Sequence, residues 1–288
     1  MGELFAAPRR RRAEAPRDGE EKADDGVVMS GNPWYPFGEP RVAASVRLFC
    51  FPFAGGGASL YREWRRRSPP GLDLCPVQLP GREARIREAP LRRMGPLVEE
   101  VWRRLEPWAN RPYALFGHSM GALIVLELAH HARRKGHPLP AHLIVSGARP
   151  PHLREGGLSL HKLPDREFVQ ALRDLGGTPE AVLAHPELMD LLLPALRADF
   201  EVSETYGGRD LDPLHCPITA FGGDMDPEVP PEMVEEWRLF SSAPFESVIL
   251  PGGHFFMDQC ADEIIRRVAR KLGCDDSPSG LGTDVGRE

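Results

Sequence analysis

One stretch, residues 113–136, constrains the fold more than any other. Tyr113-Ala-Leu-Phe116 is a short apolar run, Gly117-His-Ser-Met-Gly121 follows at once, and a long helix-like pattern then runs to Gly136, with Pro138 just beyond. Glycine followed by proline at such a point is a helix stop signal. Strand, Gly-x-Ser-x-Gly turn and helix in immediate succession make a sharp elbow that lifts the serine out of a sheet edge. The turn leaves no room for side chains two residues either side of Ser119, hence Gly117 and Gly121. Ser119 then projects at a helix N-terminus, where free N–H groups stabilise a negative oxygen. The competing reading, a chance match in a buried strand–helix unit, is disfavoured by the presence of both flanks.

The rest of the chain repeats the same alternation. Short β-type runs are expected at Val46–Phe51, Leu74–Leu79, Tyr113–Phe116, Leu143–Ser146, Ile218–Phe221 and Ser247–Leu250. Helices are expected at Leu60–Arg67, Pro96–Leu105, Ala122–Lys135, Glu232–Phe240 and Ala261–Leu272. Apolar strands spaced by helices predict an α/β fold: a mostly parallel, doubly wound sheet covered on both faces. From about 152 to 211 the rhythm breaks into helical stretches only, at Asp165–Leu175, Pro179–Ala184 and Pro186–Tyr206. A helical insertion between two strands of such a sheet sits over the strand C-terminal ends, where ligands bind. Leu188, Leu191, Leu192, Leu193, Leu196 and Phe200 are more apolar residues than one helix face needs. They read either as lining an apolar channel or as burying the helix against the core. Residues 1–40 and 274–288 are Arg-, Glu-, Asp-, Pro-, Gly- and Ser-rich and read as disordered tails flanking a single domain at 41–273, with Met29 a possible alternative start.

Composition narrows the class. With 41% hydrophobic residues the chain can bury a real core. Its five cysteines (Cys50, Cys75, Cys216, Cys260 and Cys274) are scattered, odd in number and free of any C-x-x-C spacing, which points to reduced thiols in the cytoplasm rather than a disulfide frame or a zinc site. No apolar run reaches membrane-spanning length, and no apolar stretch follows Arg9–Arg12 to make a secretory signal. Nothing resembles a coiled coil, so a monomer is expected, with neither nucleic acid nor membrane as a partner. The net charge of −6 hides an asymmetry: residues 41–135 hold 17 Lys/Arg against 8 Asp/Glu, and residues 136–288 hold 13 against 26. Such a split suits an acidic partner on one side, although by itself it favours ordinary solvated helix faces.

A serine hydroxyl needs a base to become a nucleophile, and the base needs an orienting acid. Behind an elbow of this kind the chain order is Ser, then Asp or Glu, then His. Among ten histidines, His254 in Leu250-Pro-Gly-Gly-His-Phe-Phe256 directly follows the last expected strand and is taken as the base. His118, next to Ser119, diverges from it on the elbow and reads as structural. Asp224 and Asp226 both qualify as the acid. Asp226 is favoured because it falls past the glycine turn, before Pro227, whereas Asp224 reads as capping the turn through its own backbone. Oxyanion donors are expected from the N–H of Met120 and from the glycine-rich turn Phe53-Ala-Gly-Gly-Gly-Ala58, at Ala54.

Taken in order, these pieces resemble the type II (external, editing) thioesterases of polyketide and nonribosomal peptide assembly lines, which have the α/β-hydrolase fold. The resemblance rests on Phe-Pro-Phe-Ala-Gly-Gly (51–56), Gln-Leu-Pro-Gly-Arg-Glu (78–83), Gly-His-Ser-Met-Gly-Ala (117–122), Leu-Gly-Gly-Thr-Pro (175–179), Leu-Pro-Ala-Leu-Arg-Ala-Asp (193–199), Phe-Gly-Gly-Asp-Met-Asp-Pro (221–227) and Pro-Gly-Gly-His-Phe-Phe (251–256). It implies a lid formed by the insertion, and hydrolysis of acyl groups held as thioesters on the phosphopantetheine arm of a carrier protein. It also implies a Ser119–His254–Asp226 triad, Ala54 and Met120 as oxyanion donors, and neither a cofactor nor a metal of the enzyme's own. A serine esterase acting on oxygen esters, or an acyltransferase, would use the same triad. Carrier proteins are typically acidic, so the clusters Arg62, Arg65, Arg66, Arg67 and Arg82, Arg85, Arg87, Arg92, Arg93 are candidate docking charges, with an internal role the alternative for Arg82.

Overall fold

The computed structural model describes residues 31–154, 159–208 and 212–275. Six strands form one sheet: β1 Val46–Phe51, β2 Leu72–Pro76, β3 Tyr113–His118, β4 His142–Ser146, β5 Ile218–Gly223 and β6 Phe245–Leu250. The spatial order is β2-β1-β3-β4-β5-β6 and every pairing is parallel. Around it lie α1 Arg62–Arg67, α2 Met94–Leu105, α3 Met120–Lys135, α4 Asp165–Leu175, α5 Glu180–Leu183, α6 Pro186–Glu204, α7 Pro231–Glu235 and α8 Ala261–Lys271.

Strands β1 to β5 are buried along their whole length, as a sheet covered on both faces requires. On one face Leu97, Val101, Leu123 and Leu126 bring α2 and α3 onto the sheet; on the other, Trp64, Ile264 and Val268 bring α1 and α8. Only β6, at the edge, is partly exposed. The strands are not apolar throughout, however. His142 and Thr219 are buried on neighbouring strands and satisfy each other, ring Nε2 to hydroxyl at 2.9 Å. Buried Asp73 accepts from the Arg41 guanidinium at 3.0 Å.

Several boundaries differ from expectation, three of them by more than a turn's fraying. β2 ends at Pro76, which has no N–H for the ladder, so Val77–Leu79 run on as an extended segment, with Val77 N–H donating to Cys50 C=O at 3.0 Å. The helix expected over 232–240 divides into α7 and a 3-10 turn at Glu236–Phe240. The N-terminal tail expected to extend to residue 40 is shorter. Trp34 and Tyr35 are buried in the main core, Trp34 C=O accepts from Gln78 N–H at 2.9 Å, and Tyr35 O–H donates to Arg104 C=O at 2.9 Å. Two aromatics without periodicity give no strand or helix signal, yet they bury large area. Met29 and residues 276–288 lie outside the described residues. Cys274 is still buried, its N–H donating to Ala269 C=O at 2.8 Å.

The chain passes from β1 outward to β2 and then returns to lay β3 on the other side of β1. Loops that leave β1 and β3 therefore diverge, which opens a crevice at the strand C-termini at this switch point. Helices α4, α5 and α6 stand over that end with a small core of their own, Phe168, Leu172, Leu183, Met189 and Leu196. Most of the leucines of α6 serve this satellite core rather than a channel, and Leu191 is exposed.

Candidate active site

The elbow has the strained geometry its sequence predicts. Ser119 has φ 53° and ψ −113°, a region non-glycine residues rarely occupy. Its N–H donates to Ser146 C=O on β4 at 2.8 Å, and its C=O accepts from Ala122 N–H at 3.0 Å. A Cβ on Gly117 would stand 2.1 Å from Gly121 C=O oxygen, and one on Gly121 would stand 2.3 Å from Phe51 C=O oxygen. The first glycine thus spares the turn itself, and the second lets α3 approach β1.

Two further loops converge on Ser119. After β5, Asp226 is buried and its Oδ2 lies 2.8 Å from His254 Nδ1. Its other oxygen accepts from the N–H groups of Glu228 (2.8 Å) and Val229 (3.2 Å). Burial pushes the Asp226 carboxyl pKa up, but the hydrogen bond from His254, its charge and the two backbone donors outweigh this and hold it below the ordinary aspartate range. An ionised carboxylate only accepts, so Nδ1 of His254 carries the proton in this contact. Asp224 plays a different part from the local cap expected of it. Its Oδ1 accepts from Gly252 N–H at 2.8 Å, while Met225 N–H donates to Gly252 C=O at 3.0 Å. Asp224 therefore ties the histidine loop to the acid loop, and the Asx-type cap belongs to Asp226.

His118 lies beneath this pair. It is fully buried, its Nδ1 is 2.9 Å from Ser146 Oγ, and its ring centroid is 5.4 Å from that of His254. Burial, then the nearby His254 charge, push its pKa down to about 3, so it stays neutral and adds no charge beside the His254–Asp226 pair. Its structural reading stands.

Ser119, His254 and Ala54 line one cavity of about 450 Å³. Phe53 and Phe255 form its aromatic walls, and Ala171, Leu172 and Leu175 of α4 with Phe200 of α6 form its roof. Of the residues read as a possible channel lining only Phe200 reaches the cavity; the rest of its apolar roof comes from α4, which that reading had not included. The Met120 side chain is buried in the core, and its N–H is the first of α3.

A profile of the thioesterase domain family matches residues 46–272. The chain belongs to the thioesterase family. It is a thioester hydrolase with the parallel sheet and flanking helices of the α/β-hydrolase fold. It is similar to the gramicidin S biosynthesis protein GrsT of Aneurinibacillus migulanus, 44% identical over 245 residues that span 85% of this chain and 96% of the relative. Among solved structures it resembles the RedJ thioesterase of the prodiginine pathway in Streptomyces coelicolor, with TM-score 0.74 and 44% identity over 80% of this chain and 91% of that one. It also resembles YbtT, a type II thioesterase of the yersiniabactin NRPS/PKS pathway, with TM-score 0.72 and 32% identity over 82% of this chain and 96% of that one.

Four polar side chains of this thioesterase that sequence reasoning left without a catalytic role surround the loop after β1. Gln78 Oε1 accepts from Ala58 N–H at 2.9 Å, and Glu83 Oε1 accepts from Ser59 N–H at 3.3 Å. Asp199 of α6 accepts from Gly55 N–H at 2.7 Å, and Arg82 donates to Gly56 C=O at 3.2 Å. Arg82 and Asp199 are buried and joined by two bonds, 2.6 and 2.8 Å. Asp199 is one of five acids in α6, and nothing in the sequence marked it as the buried one that needs a partner. The other arginines also spend much of their charge internally. Arg85 pairs with Glu88 at 2.6 Å and lies over the Trp34 ring, and Arg92 and Arg93 both reach Glu201. Arg62, Arg66, Arg67, Arg87, Arg92 and Arg93 are exposed, with Arg66 paired to Glu63 at 3.5 Å and Arg67 to Asp262 at 3.1 Å.

Proposed function

We propose that this thioesterase removes aberrant or stalled acyl groups from the phosphopantetheine arm of carrier proteins in polyketide or nonribosomal peptide synthesis. Ser119 is the nucleophile, His254 the general base and Asp226 its orienting acid. The observation that carries this reading is the 2.8 Å Asp226–His254 contact opening into the same cavity as Ser119 and Ala54. The kinship with GrsT and RedJ supports the carrier-bound substrate.

His254 takes the Ser119 proton through Nε2 as Oγ attacks the thioester carbonyl. The negative oxygen is held by the N–H groups of Ala54 and Met120, the latter backed by the N-terminal end of α3. Collapse of the tetrahedral intermediate breaks the C–S bond. Because a thiol has a pKa of about 8.5, the pantetheine sulfur is a ready leaving group, and it takes the Nε2 proton as it departs, which returns His254 to its basic form. His254 then deprotonates water, which attacks the acyl–serine ester, and passes that proton to Ser119 Oγ as the ester C–O bond breaks and the acid is freed. No cofactor of the enzyme's own enters this scheme, since the pantetheine arrives with the substrate. Docking is assigned to the exposed Arg62, Arg66, Arg67 and Arg87 by screened attraction to an acidic carrier. We place the enzyme in the cytoplasm as a monomer, a reading supported by its five free thiols.

The test uses carrier proteins loaded with a panel of acyl groups, followed by mass spectrometry with and without the enzyme, alongside an oxygen ester of each acyl group. Loss of acyl mass from the carrier with release of free acid is expected, at kcat/KM well above that for the oxygen ester. Preference for the oxygen ester would make the chain a serine esterase. Acyl transfer to an alcohol or amine instead of water would make it an acyltransferase.

A further inference from the structure

Residues 53–56 form a tight turn. Gly56 N–H donates to Phe53 C=O at 2.9 Å and Gly55, third in the turn, has φ +85°, as a type II turn requires. Phe53 C=O and Ala54 N–H belong to one trans peptide, so they point in opposite directions. Engaging the carbonyl inside the turn therefore aims the Ala54 N–H outward, toward the cavity that Ala54 lines. The orientation of the donor thus depends on what holds this turn.

Its outer side is held by two charged groups rather than by secondary structure. Asp199 Oδ2 takes the Gly55 N–H, and Arg82 Nη1 takes the Gly56 C=O. The same guanidinium grips both Asp199 oxygens and the Pro80 carbonyl. A buried ion pair is a poor source of net stability, because apolar residues of similar volume do as well or better. An apolar pair cannot, however, satisfy a backbone donor and a backbone acceptor in a turn too tight to pair with a strand. The pair suits positioning better than it suits stability.

Asp199 lies on the lid helix α6, three residues beyond Leu196, so the two share one face. Leu196 presses on the turn from above: a Cβ on Gly55 would stand 2.4 Å from its Cδ2. We propose that Arg82 and Asp199 are positioning residues that set the Ala54 oxyanion donor, so that acyl transfer is competent only while α6 is seated. This inference rests on the hydrolytic reading above. If α6 lifts, Gly55 loses its acceptor and Arg82 its partner, and the turn is free to rotate its peptide.

The experiment compares wild type with Asp199→Asn, Asp199→Leu and the double variant Arg82→Leu/Asp199→Leu, each as the full chain. Hydrolysis of an N-acetylcysteamine acyl thioester gives kcat and KM. Affinity for an alkyl trifluoromethyl ketone, which forms a tetrahedral oxyanion on the serine, reports on the donor. Thermal melting reports on folding. Asp199→Leu and the double variant are expected to lose about 10²–10³-fold in kcat, as for removal of one oxyanion donor, with KM within a few-fold. Their ketone affinity should fall in step. Asp199→Asn keeps an oxygen for Gly55 and should retain kcat to within about tenfold. Equal kcat losses in the Asn and Leu variants, or a kcat loss with ketone affinity unchanged, overturn the proposal. If neither leucine variant folds, Asp199→Asn alone decides it by whether any loss of kcat is matched in ketone affinity. A wild type that leaves the thioester intact would instead refute the hydrolytic reading, and so would be told apart.

Discussion

Asp226 and Asp224 stand two residues apart in one loop, and both hold the neighbourhood of His254 by different means. Asp226 touches the imidazole, whereas Asp224 touches only the backbone of Gly252. Asp226→Asn should leave the fold intact but present an amide that favours the wrong imidazole tautomer, lowering kcat by about 10⁴-fold. Asp224→Asn keeps an acceptor for Gly252 and should cost tenfold or less, roughly the worth of one weakened hydrogen bond. Ser119→Ala should lower turnover by about 10⁴-fold or more. Steady-state rates on one acyl thioester check all three, and equal losses from the two aspartates would refute the assignment. Ser119, Asp226 and His254 were legible as candidates because each follows a strand at a glycine-marked turn, which is local information, whereas the part Asp224 plays was not. The Asp199 contacts were not, since they join positions 144 and 117 residues apart and no periodicity announces them.

Among elements, α4 and α6 divide the work of the insertion. α4 turns Ala171, Leu172 and Leu175 into the cavity. α6 carries Pro194 in its interior, which removes the hydrogen bond to the Asp190 carbonyl and separates two unlike halves. The first half serves the satellite core alone, while the second still gives it Leu196 and Phe200 but also buries Ala198, Asp199 and Val202, the last in the main core. Chain-length preference is therefore expected to depend on α4 more than on the leucines of α6. Ala171→Trp should shorten the acyl group accepted, lowering kcat/KM for a long-chain thioester by at least about tenfold relative to the acetyl thioester. A series of N-acetylcysteamine thioesters of increasing length reads this directly, and an unchanged ratio would remove α4 from the acyl chamber. The extent of the insertion was visible as a loss of strand rhythm. Which of its helices faced the substrate was not, because a buried apolar face looks the same whether it covers a core or a cavity.

At the scale of the whole molecule, four buried histidines, His118, His130, His131 and His142, make the fold acid-sensitive, burial lowering each. Burial, with nearby positive charge, pushes His118 down to about 3 and both His130 and His142 down to about 4, from an ordinary value of 6.5. The unfolded chain binds protons at these sites as pH falls through 6.5, while the folded chain does not. Stability is therefore full above about pH 6.5 and falls with pH toward 4, by up to about 1.4 kcal/mol per pH unit for each histidine. Urea midpoints measured from pH 7.5 to 4.5 should drop steeply. His142→Gln, which preserves a partner for Thr219, should flatten the slope by as much as one histidine's share; an unchanged slope would show that His142 is not one of the linked groups.

The matched family region begins at residue 46, yet the packing begins earlier. Trp34 lies under the Arg85 guanidinium at 4.1 Å and its carbonyl holds Gln78, whose side chain in turn braces Ala58. A domain cut at the first residue of the family profile would keep every residue assigned to catalysis and lose the floor beneath the loop that aims one of them. For anyone trimming this protein, the unit to keep is longer than the profile that marks it.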